Sequence, residues 1–301
     1  MLTKVKREVA AAAVVRMRVP IEFFLREYRD IAEFKKGPAV LEIGKFGDPP
    51  HPDDQGSLTW DSRDVQDLLR CKPGDCGVKM STEMMRRTRE QLQQDFGKGR
   101  NDSAERLLRS LLAEYAADYL AHGDTALISY DDQDPPVRSG DEFREVLQAS
   151  PYLIECSPSL YNYFANFPHV SAPGVEAFLY WSKEKFGLKP VISITHAAVY
   201  THTRNSANWG FIVSKQIYAT HYFEASLGLT FLAPGNWEAS GPESLVIYIN
   251  RSRSDGLRGW LSGLKRSMVT RRVRSGMRKN LETVRQRLEA KYRAATASFS
   301  Q

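Results

Sequence analysis

The sequence predicts an α+β fold in which a curved antiparallel sheet grips a long C-terminal helix. After Pro173 the period of the apolar residues changes from about 3.6 to 2, which indicates consecutive strands. From about residue 256 to residue 295 a last amphipathic pattern predicts a helix of roughly 55–60 Å. A helix of that length cannot bury its own apolar side, so the preceding strands are the surface that it is expected to cover.

The first eighty residues are predicted to contain strands on both sides of a helix. The apolar run in residues 5–19 and the alternating pattern in residues 39–46 predict two strands. Between them, Pro20-Ile21 opens a helix with aromatic residues at helical spacing. A loop, a helical turn and a short strand are predicted next, over residues 47–61, 64–70 and 77–80.

Residues 81–167 are predicted to form a helical block inserted between the N-terminal strands and the later ones. Four helix starts carry capping signals: Ser81 or Thr82, Asn101-Asp102, Ser139 with Glu142 as a capping box, and Ser157-Pro158. A leucine-rich stripe follows the second of these and ends at Gly123, as expected for a helix with a glycine after its last turn. At 301 residues the chain is expected to be one domain, 1–301, with this block as an insertion.

Four strands are predicted in a row after the helical block. They cover residues 175–182, 190–203, 210–232 and 245–250, and they are rich in Ile, Val, Tyr, Phe and Thr. The loops between them are short, which predicts an antiparallel meander.

This order of elements resembles the helix-grip fold of START-type and Bet v 1-type proteins. In that fold a curved sheet wraps the last helix and leaves an apolar cavity, so the resemblance implies binding of an apolar or amphipathic, lipid-like small molecule. Aromatic side chains on the predicted strands support the same function. The candidate ligand-binding residues are Trp181, Tyr200, Tyr218, His221, Tyr222, Arg251 and Arg253.

Three stretches resemble an uncharacterised family of bacterial, generally exported proteins. They are LRCKPGDCGVKM (69–80), YWSKEKFGLKPVISITH (180–196), and QIYATHYFEASLGLT with NRSRSDGLRG (216–230 and 250–259). The resemblance implies a periplasmic or otherwise exported protein, whose leader has been removed or lies upstream. A cytoplasmic location is the alternative, because the N-terminal apolar run is short and Arg16 ends it. No apolar run reaches the roughly 18–20 residues of a membrane span.

Two of the three cysteines are close in sequence. Cys71 and Cys76 bracket Lys-Pro-Gly-Asp, and a Pro-Gly turn can bring two cysteines within disulfide range. A disulfide and two free thiols both fit this pattern, and export would favour the disulfide. Cys156 stands alone, and no second Cys or His pair has the spacing of a zinc site.

His196, His221 and Glu224 are the candidates for an enzyme built in the same cavity. If the hairpin brings the histidines together, two imidazoles and a carboxylate could hold a metal or transfer protons. Hydrogen-bonded or surface histidines fit the sequence as well. No G-x-S-x-G or G-x-G-x-x-G motif is present, so no catalytic residue, metal or cofactor is assigned.

The basic residues are concentrated at the C terminus. Residues 251–301 contain 14 Lys/Arg and 3 Asp/Glu, net +11, and the other 250 residues contain 28 and 33, net −5. The basic helix is interpreted as a solvated face, or as a surface that docks on an anionic membrane or a protein partner. Nucleic acid is not expected, because no exposed aromatic residues are interleaved with the charges.

Arg251 and Arg253 are predicted to project from one side of the last strand. They form either a corner held by ion pairs or a grip for a phosphate or carboxylate. Asp255 is expected to cap the terminal helix and to pair with Arg258.

Overall fold

A computed structural model of the protein shows an α+β architecture built on a large antiparallel sheet. It describes residue 5 and residues 7–94, 100–186, 189–204, 207–235, 242–257 and 262–297. The strands of the large sheet are β1 (Glu8–Met17), β2 (Val40–Lys45), β5 (Val175–Lys185), β6 (Pro190–Arg204), β7 (Ala207–Ala219), β8 (Phe223–Pro234) and β9 (Ser244–Ser254). Two short strands, β3 (Ser129–Tyr130) and β4 (Val137–Arg138), pair separately.

The seven strands lie in the order β1-β9-β8-β7-β6-β5-β2, and each neighbouring pair is antiparallel. Strands β5 to β9 form a continuous meander, as short connections require. The N-terminal strands close its two edges, β1 against β9 and β2 against β5. The predicted α+β class, with a large antiparallel sheet, is confirmed.

The helices are α1 (Ile21–Arg29), α2 (Ile31–Lys35), α3 (Ser62–Leu68), α4 (Thr82–Gln94), α5 (Arg100–His122), α6 (Ser139–Gln148), α7 (Pro151–Cys156), α8 (Pro158–Ala165) and α9 (Ser262–Ala297). Helix α9 confirms the long C-terminal helix, and its described part begins at Ser262, after residues 258–261, which lie outside the described ones. Residues 255–257 form a 3₁₀ turn. None of the described helices is long and apolar enough to cross a bilayer.

The sheet is covered on both sides, because successive residues of a strand point to opposite faces. On β6, Ile194, His196 and Ala198 face helices α3 to α8, and we call this side the block face. Ala197 and Val199 point the other way, into a cluster with residues of α1, α2 and α9. The helical block is therefore a full layer of the fold and covers one face of the meander.

Helix α9 packs along the edge strand β1 and against α1. Its buried side chains among those described are Met277, Val284 and Leu288, and the ring of Tyr292 lies 5.0 Å from that of Phe23. The apolar pattern of the sequence also predicts that Leu264 packs on the sheet, and this side chain lies outside the described ones. Wrapping of a curved sheet around α9 stays a prediction.

The predicted strand over residues 210–232 is wrong, because it is two strands joined by a tight turn. Strand β7 ends at Ala219 and β8 begins at Phe223. Tyr222 takes a positive φ of 63°, and Thr220 holds the turn through backbone and hydroxyl bonds to Ile192. The turn contains no glycine or proline, so the sequence carries no turn signal there.

Two local predictions are overridden by long-range contacts. Residues 77–80 form no strand, because the backbone of Lys79 bonds to Thr220 and to the hydroxyl of Tyr218 instead. Ser139 and Glu142 do not form a capping box. The hydroxyl of Ser139 donates to Ile128 at 2.6 Å, and Glu142 accepts hydrogen bonds from two arginines.

A disulfide joins Cys71 and Cys76, whose Cα atoms lie 4.4 Å apart. Gly74 in the turn has a φ of 82°, a conformation that favours glycine. The turn is tied to the helical block through Gly74 N and Cys76 N, which donate to the carbonyl groups of Asp131 and Asp132. Cys156 is free and exposed.

Candidate functional site

A partly enclosed pocket of about 150 Å³ lies on the block face, between strands β5 and β6 and helices α5 and α8. Most of its lining is apolar or small: Phe46, Gly47, Leu120, Phe167, Ala177, Phe178 and Leu179. Three lining side chains are polar, namely Asp48, Tyr163 and His196. A mainly apolar pocket with a few polar groups is the usual composition of a small-molecule site.

His196 lies at the inner wall of this pocket and is 1% exposed. The hydroxyl of Tyr119 is 2.9 Å from its Nδ1, and that of Tyr163 is 3.2 Å from its Nε2. The rings of Phe164 and Phe167 lie 5.0 and 4.7 Å from the imidazole. Burial, together with nearby Lys215, lowers the pKa of His196 to about 3. The imidazole is therefore neutral at neutral pH, with one N–H donor and one acceptor nitrogen.

The burial of the Tyr119 hydroxyl favours one tautomer of His196. In the described part of the chain, the hydroxyl of Tyr119 is fully buried and bonds to no group besides His196. If Tyr119 accepted from Nδ1, its own hydrogen would be buried without an acceptor, which costs about 1–3 kcal/mol. Tyr119 therefore donates to Nδ1, and the Nε2–H of His196 donates to Tyr163. This arrangement leaves the hydroxyl hydrogen of Tyr163 free to point into the pocket.

Lys215 is the cross-strand neighbour of His196, on β7. It is buried, pairs with Asp124, and lies 3.8 Å from the ring centroid of Phe143. Burial lowers the pKa of Lys215 to about 8, and Asp124 opposes that shift. The retained positive charge disfavours a second cation nearby, which is one reason that His196 stays neutral.

Backbone features place these groups. Antiparallel pairing sets Leu179 opposite His196, and Pro158 opens the helix that carries Tyr163. Gly123 ends α5 with a φ of 60°, and a Cβ there would lie 1.8 Å from the carbonyl oxygen of Phe167. Only glycine allows the end of α5 to approach so closely the segment that carries Phe167 into the pocket.

The predicted ligand-binding residues do not meet in one cavity. Trp181 and Tyr218 are buried in the core under the helical block, where they donate to the carbonyls of Asp54 at 2.9 Å and Lys79 at 3.0 Å. Tyr200 is half-buried beside the ring of Phe211, 6.1 Å away.

His221 and Tyr222 lie in the β7–β8 turn. Nε2 of His221 is 2.9 Å from Asp64, and the hydroxyl of Tyr222 accepts from the backbone N–H of Lys189 at 2.9 Å. Neither of them lines the pocket beside His196.

Arg251 and Arg253 lie on one side of β9, as predicted, and both are buried. Glu8 of β1 bonds to both guanidinium groups. Arg253 also donates to Glu142 at 2.8 Å and to Glu145 at 2.5 Å. Of the two predicted alternatives, the geometry matches the corner held by ion pairs.

Asp255 lies in the 3₁₀ turn at residues 255–257, and its carboxylate is 2.9 Å from Nζ of the nearly buried Lys79. Its expected role as a cap of the terminal helix stays a prediction, because residues 258–261 lie outside the described ones. The predicted partner Arg258 lies outside the described residues.

His196, His221 and Glu224 are separated by their partners. His196 bonds to tyrosines, His221 to Asp64, and Glu224 accepts from Arg7 at 2.8 Å. Over the described ranges, no group of three His, Cys, Asp or Glu side chains is placed to hold a metal ion.

Tyr119 and Tyr163 were not recognisable as site residues in the sequence. Each lies in an apolar helical stripe, the pattern of an ordinary core residue, and their bonds to His196 span 77 and 33 residues. No protein-family model matches the chain, and no curated protein or solved structure is similar enough to count as a match.

Proposed function

We propose that the protein binds a small, mostly apolar molecule with one neutral hydrogen-bond acceptor in the pocket beside His196. The observation that carries the proposal is the position of Tyr163, which lines a mostly apolar pocket and whose hydroxyl lies 3.2 Å from Nε2 of His196. The pocket volume of about 150 Å³ equals that of an engineered cavity known to hold benzene. The bound part of the ligand is therefore about the size of one six-membered ring.

The polar groups define the acceptor. Tyr163 can donate to a carbonyl, ether or hydroxyl oxygen. Asp48 is also a lining residue, and its negative charge disfavours a second negative charge nearby. A neutral ketone, aldehyde or phenol fits these groups better than a carboxylate or phosphate.

The proposal retains the apolar or amphipathic ligand expected from the sequence and places it on the block face. In a START-like helix grip the ligand would lie between the sheet and the last helix. Here the sheet side that faces α9 is filled by α1 and α2, including Phe23, Phe24 and Tyr28. A longer, lipid-like ligand would have to leave its tail outside, because the enclosed volume holds one ring.

Benzene, cyclohexanone and phenol are suitable probes, used with calorimetry and melting curves. Cyclohexanone and phenol are expected to bind saturably and to raise the melting temperature by mass action. Tyr163→Phe should weaken both about 2–10-fold, the value of one neutral hydrogen bond, and leave benzene binding unchanged. Ala177→Trp should block all three probes, because Ala177 is exposed at the pocket lining.

Ala12→Trp is the matched control, because Ala12 is an exposed strand residue on β1. It should bind the probes like the unchanged protein. The proposal is wrong if no probe raises the melting temperature, or if Ala12→Trp and Ala177→Trp reduce binding equally. Loss of benzene binding in Tyr163→Phe would contradict the role assigned to the hydroxyl.

A periplasmic or otherwise exported location is part of the same proposal. The disulfide between Cys71 and Cys76 is compatible with an oxidising compartment. Thiol labelling of the protein in its own cells tests this. An exported protein should show the two cysteines protected until a reductant is added, and immediate labelling of both would contradict export.

A further inference from the structure

The outer side of the first half of α9 combines basic and apolar side chains. Met268 and Val269 are 56% and 37% exposed. Arg271, Arg272, Arg274 and Lys279 are also exposed. The sequence has no acidic residue between Asp255 and Glu282. We call this set of six side chains the α9 patch.

The geometry of the helix places the centre of the α9 patch opposite the packed side. At about 100° per residue, Met268, Arg272 and Lys279 fall within about 40° of one another. Met277 and Val284, which are buried, lie on the opposite side of the helix. Met268, Arg272 and Lys279 therefore face away from the sheet, where a second surface can reach them. Val269, Arg271 and Arg274 lie on the flanks of the helix.

The charges of the α9 patch have no counter-ions within the described residues. Arg271, Arg272, Arg274 and Lys279 form no ion pair there, although the later part of α9 is well paired. Arg285 bonds to Glu282 and Lys291 to Glu27. The first half of the helix thus keeps an uncompensated positive field next to exposed apolar groups.

We propose that the α9 patch docks the protein on an anionic lipid surface. Each Lys or Arg near such a surface contributes about 1 kcal/mol to the binding free energy. Exposed apolar side chains strengthen binding by inserting at the boundary between headgroups and acyl chains. A nucleic acid would use the charges and leave Met268 and Val269 in water. In the described part of the patch no aromatic residue is available for stacking on bases. Gly276 lies beside the patch with open space above it, so the backbone can approach the headgroups.

Vesicle flotation tests the proposal with phosphatidylcholine alone and with about one third phosphatidylserine added. The full-length protein should float with the anionic vesicles and stay behind with the neutral ones. Binding should fall as salt increases, because exposed charges are screened. The double variant Arg272→Gln/Lys279→Gln should bind about 30-fold more weakly, as expected for two lost charges.

Arg106→Gln/Arg144→Gln is the matched control, because it removes two exposed helical arginines from α5 and α6. It changes the net charge equally and should bind like the unchanged protein. Met268→Gln/Val269→Gln should weaken vesicle binding while keeping its salt dependence. Circular dichroism of each variant checks that α9 remains folded.

Equal weakening by the control variant would overturn the proposal, since net charge alone would then explain the binding. It is also overturned if the protein ignores anionic vesicles or prefers duplex DNA to them at the same salt. The Tyr163→Phe variant should float normally. The lipid proposal can therefore fail or succeed independently of the pocket.

Discussion

The hydroxyl of Tyr119 on α5 lies 2.9 Å from Nδ1 of His196 on β6, and both side chains are buried. The bond links the helical block to the centre of the sheet. Donation from the buried Tyr119 hydroxyl to Nδ1 favours the tautomer of His196 that carries its proton on Nε2. This one buried hydrogen bond therefore helps to position α5 on the sheet, and it influences which nitrogen of His196 donates toward Tyr163.

Tyr119→Phe should lower the free energy of unfolding by about 1–3 kcal/mol, because Nδ1 of His196 is left buried without a donor. Urea denaturation measures this change. Tyr161→Phe is the control, since Tyr161 is half-buried and its hydroxyl has no bond within the described structure. A cost for Tyr119→Phe no larger than that of the control would mean that the bond does not form.

The stability of the protein should depend on pH through His196. Its pKa is about 3 in the folded state and 6.5 in an unfolded chain, so the unfolded state binds more protons between these values. Stability is therefore lost as pH falls below about 6.5, by up to about 1.4 kcal/mol per pH unit from this group. His196→Gln should remove that component, because glutamine keeps a donor and an acceptor without titrating.

His202→Gln provides the comparison, because His202 is exposed. The unfolding free energy of the His202→Gln variant should depend on pH in the same way as that of the unchanged protein. If His196→Gln leaves the slope of unfolding free energy against pH unchanged between pH 5 and pH 6.5, His196 is not held neutral in the folded state.

Much of the sheet was predictable because its strands carry local signals. The β-branched and aromatic runs of β5 and β6 alternate clearly, and Gly123 marks the end of α5. The sequence does not predict the turn at Tyr222, because the apolar pattern continues through it.

The sequence does not predict the pocket, for a different reason. Its groups come from α5, α8 and β6, and no local pattern reports which helix packs on which strand.

The same limit explains the arginines of β9. The sequence placed Arg251 and Arg253 on one side of a strand, which the structure confirms. Their partner Glu8 is more than 240 residues away. The pairing of β1 with β9 decides that contact, and only the folded sheet reveals it.

Glu8→Gln should destabilise the protein by about 3–5 kcal/mol, because two buried guanidinium groups lose a shared carboxylate. Glu33→Gln removes a carboxylate from an exposed pair with Lys36 and should cost less than about 1 kcal/mol. Denaturant unfolding of both variants gives the comparison. Equal costs would show that the corner is screened by solvent.

The disulfide should contribute less through chain entropy than one that closes a longer loop, because its sequence separation is 5. Cys71→Ser/Cys76→Ser should therefore lower the free energy of unfolding by about 2 kcal/mol. Thiol titration in denaturant without reductant should find one reactive thiol, Cys156, and three after reduction. Finding all three before reduction would rule out the bridge.

Helix α9 gives a test of how the C-terminal helix is anchored. Leu288 is 2% exposed, in a cluster with Met17 and Val19, whereas Met268 lies on the outer side of the same helix. Leu288→Ala should cost about 2–5 kcal/mol, as truncation of a buried leucine does. Met268→Ala should change stability by less than about 0.5 kcal/mol, as expected for a surface position. If the two substitutions cost the same, α9 is not packed on β1. The α9 patch would then lack a fixed orientation relative to the sheet.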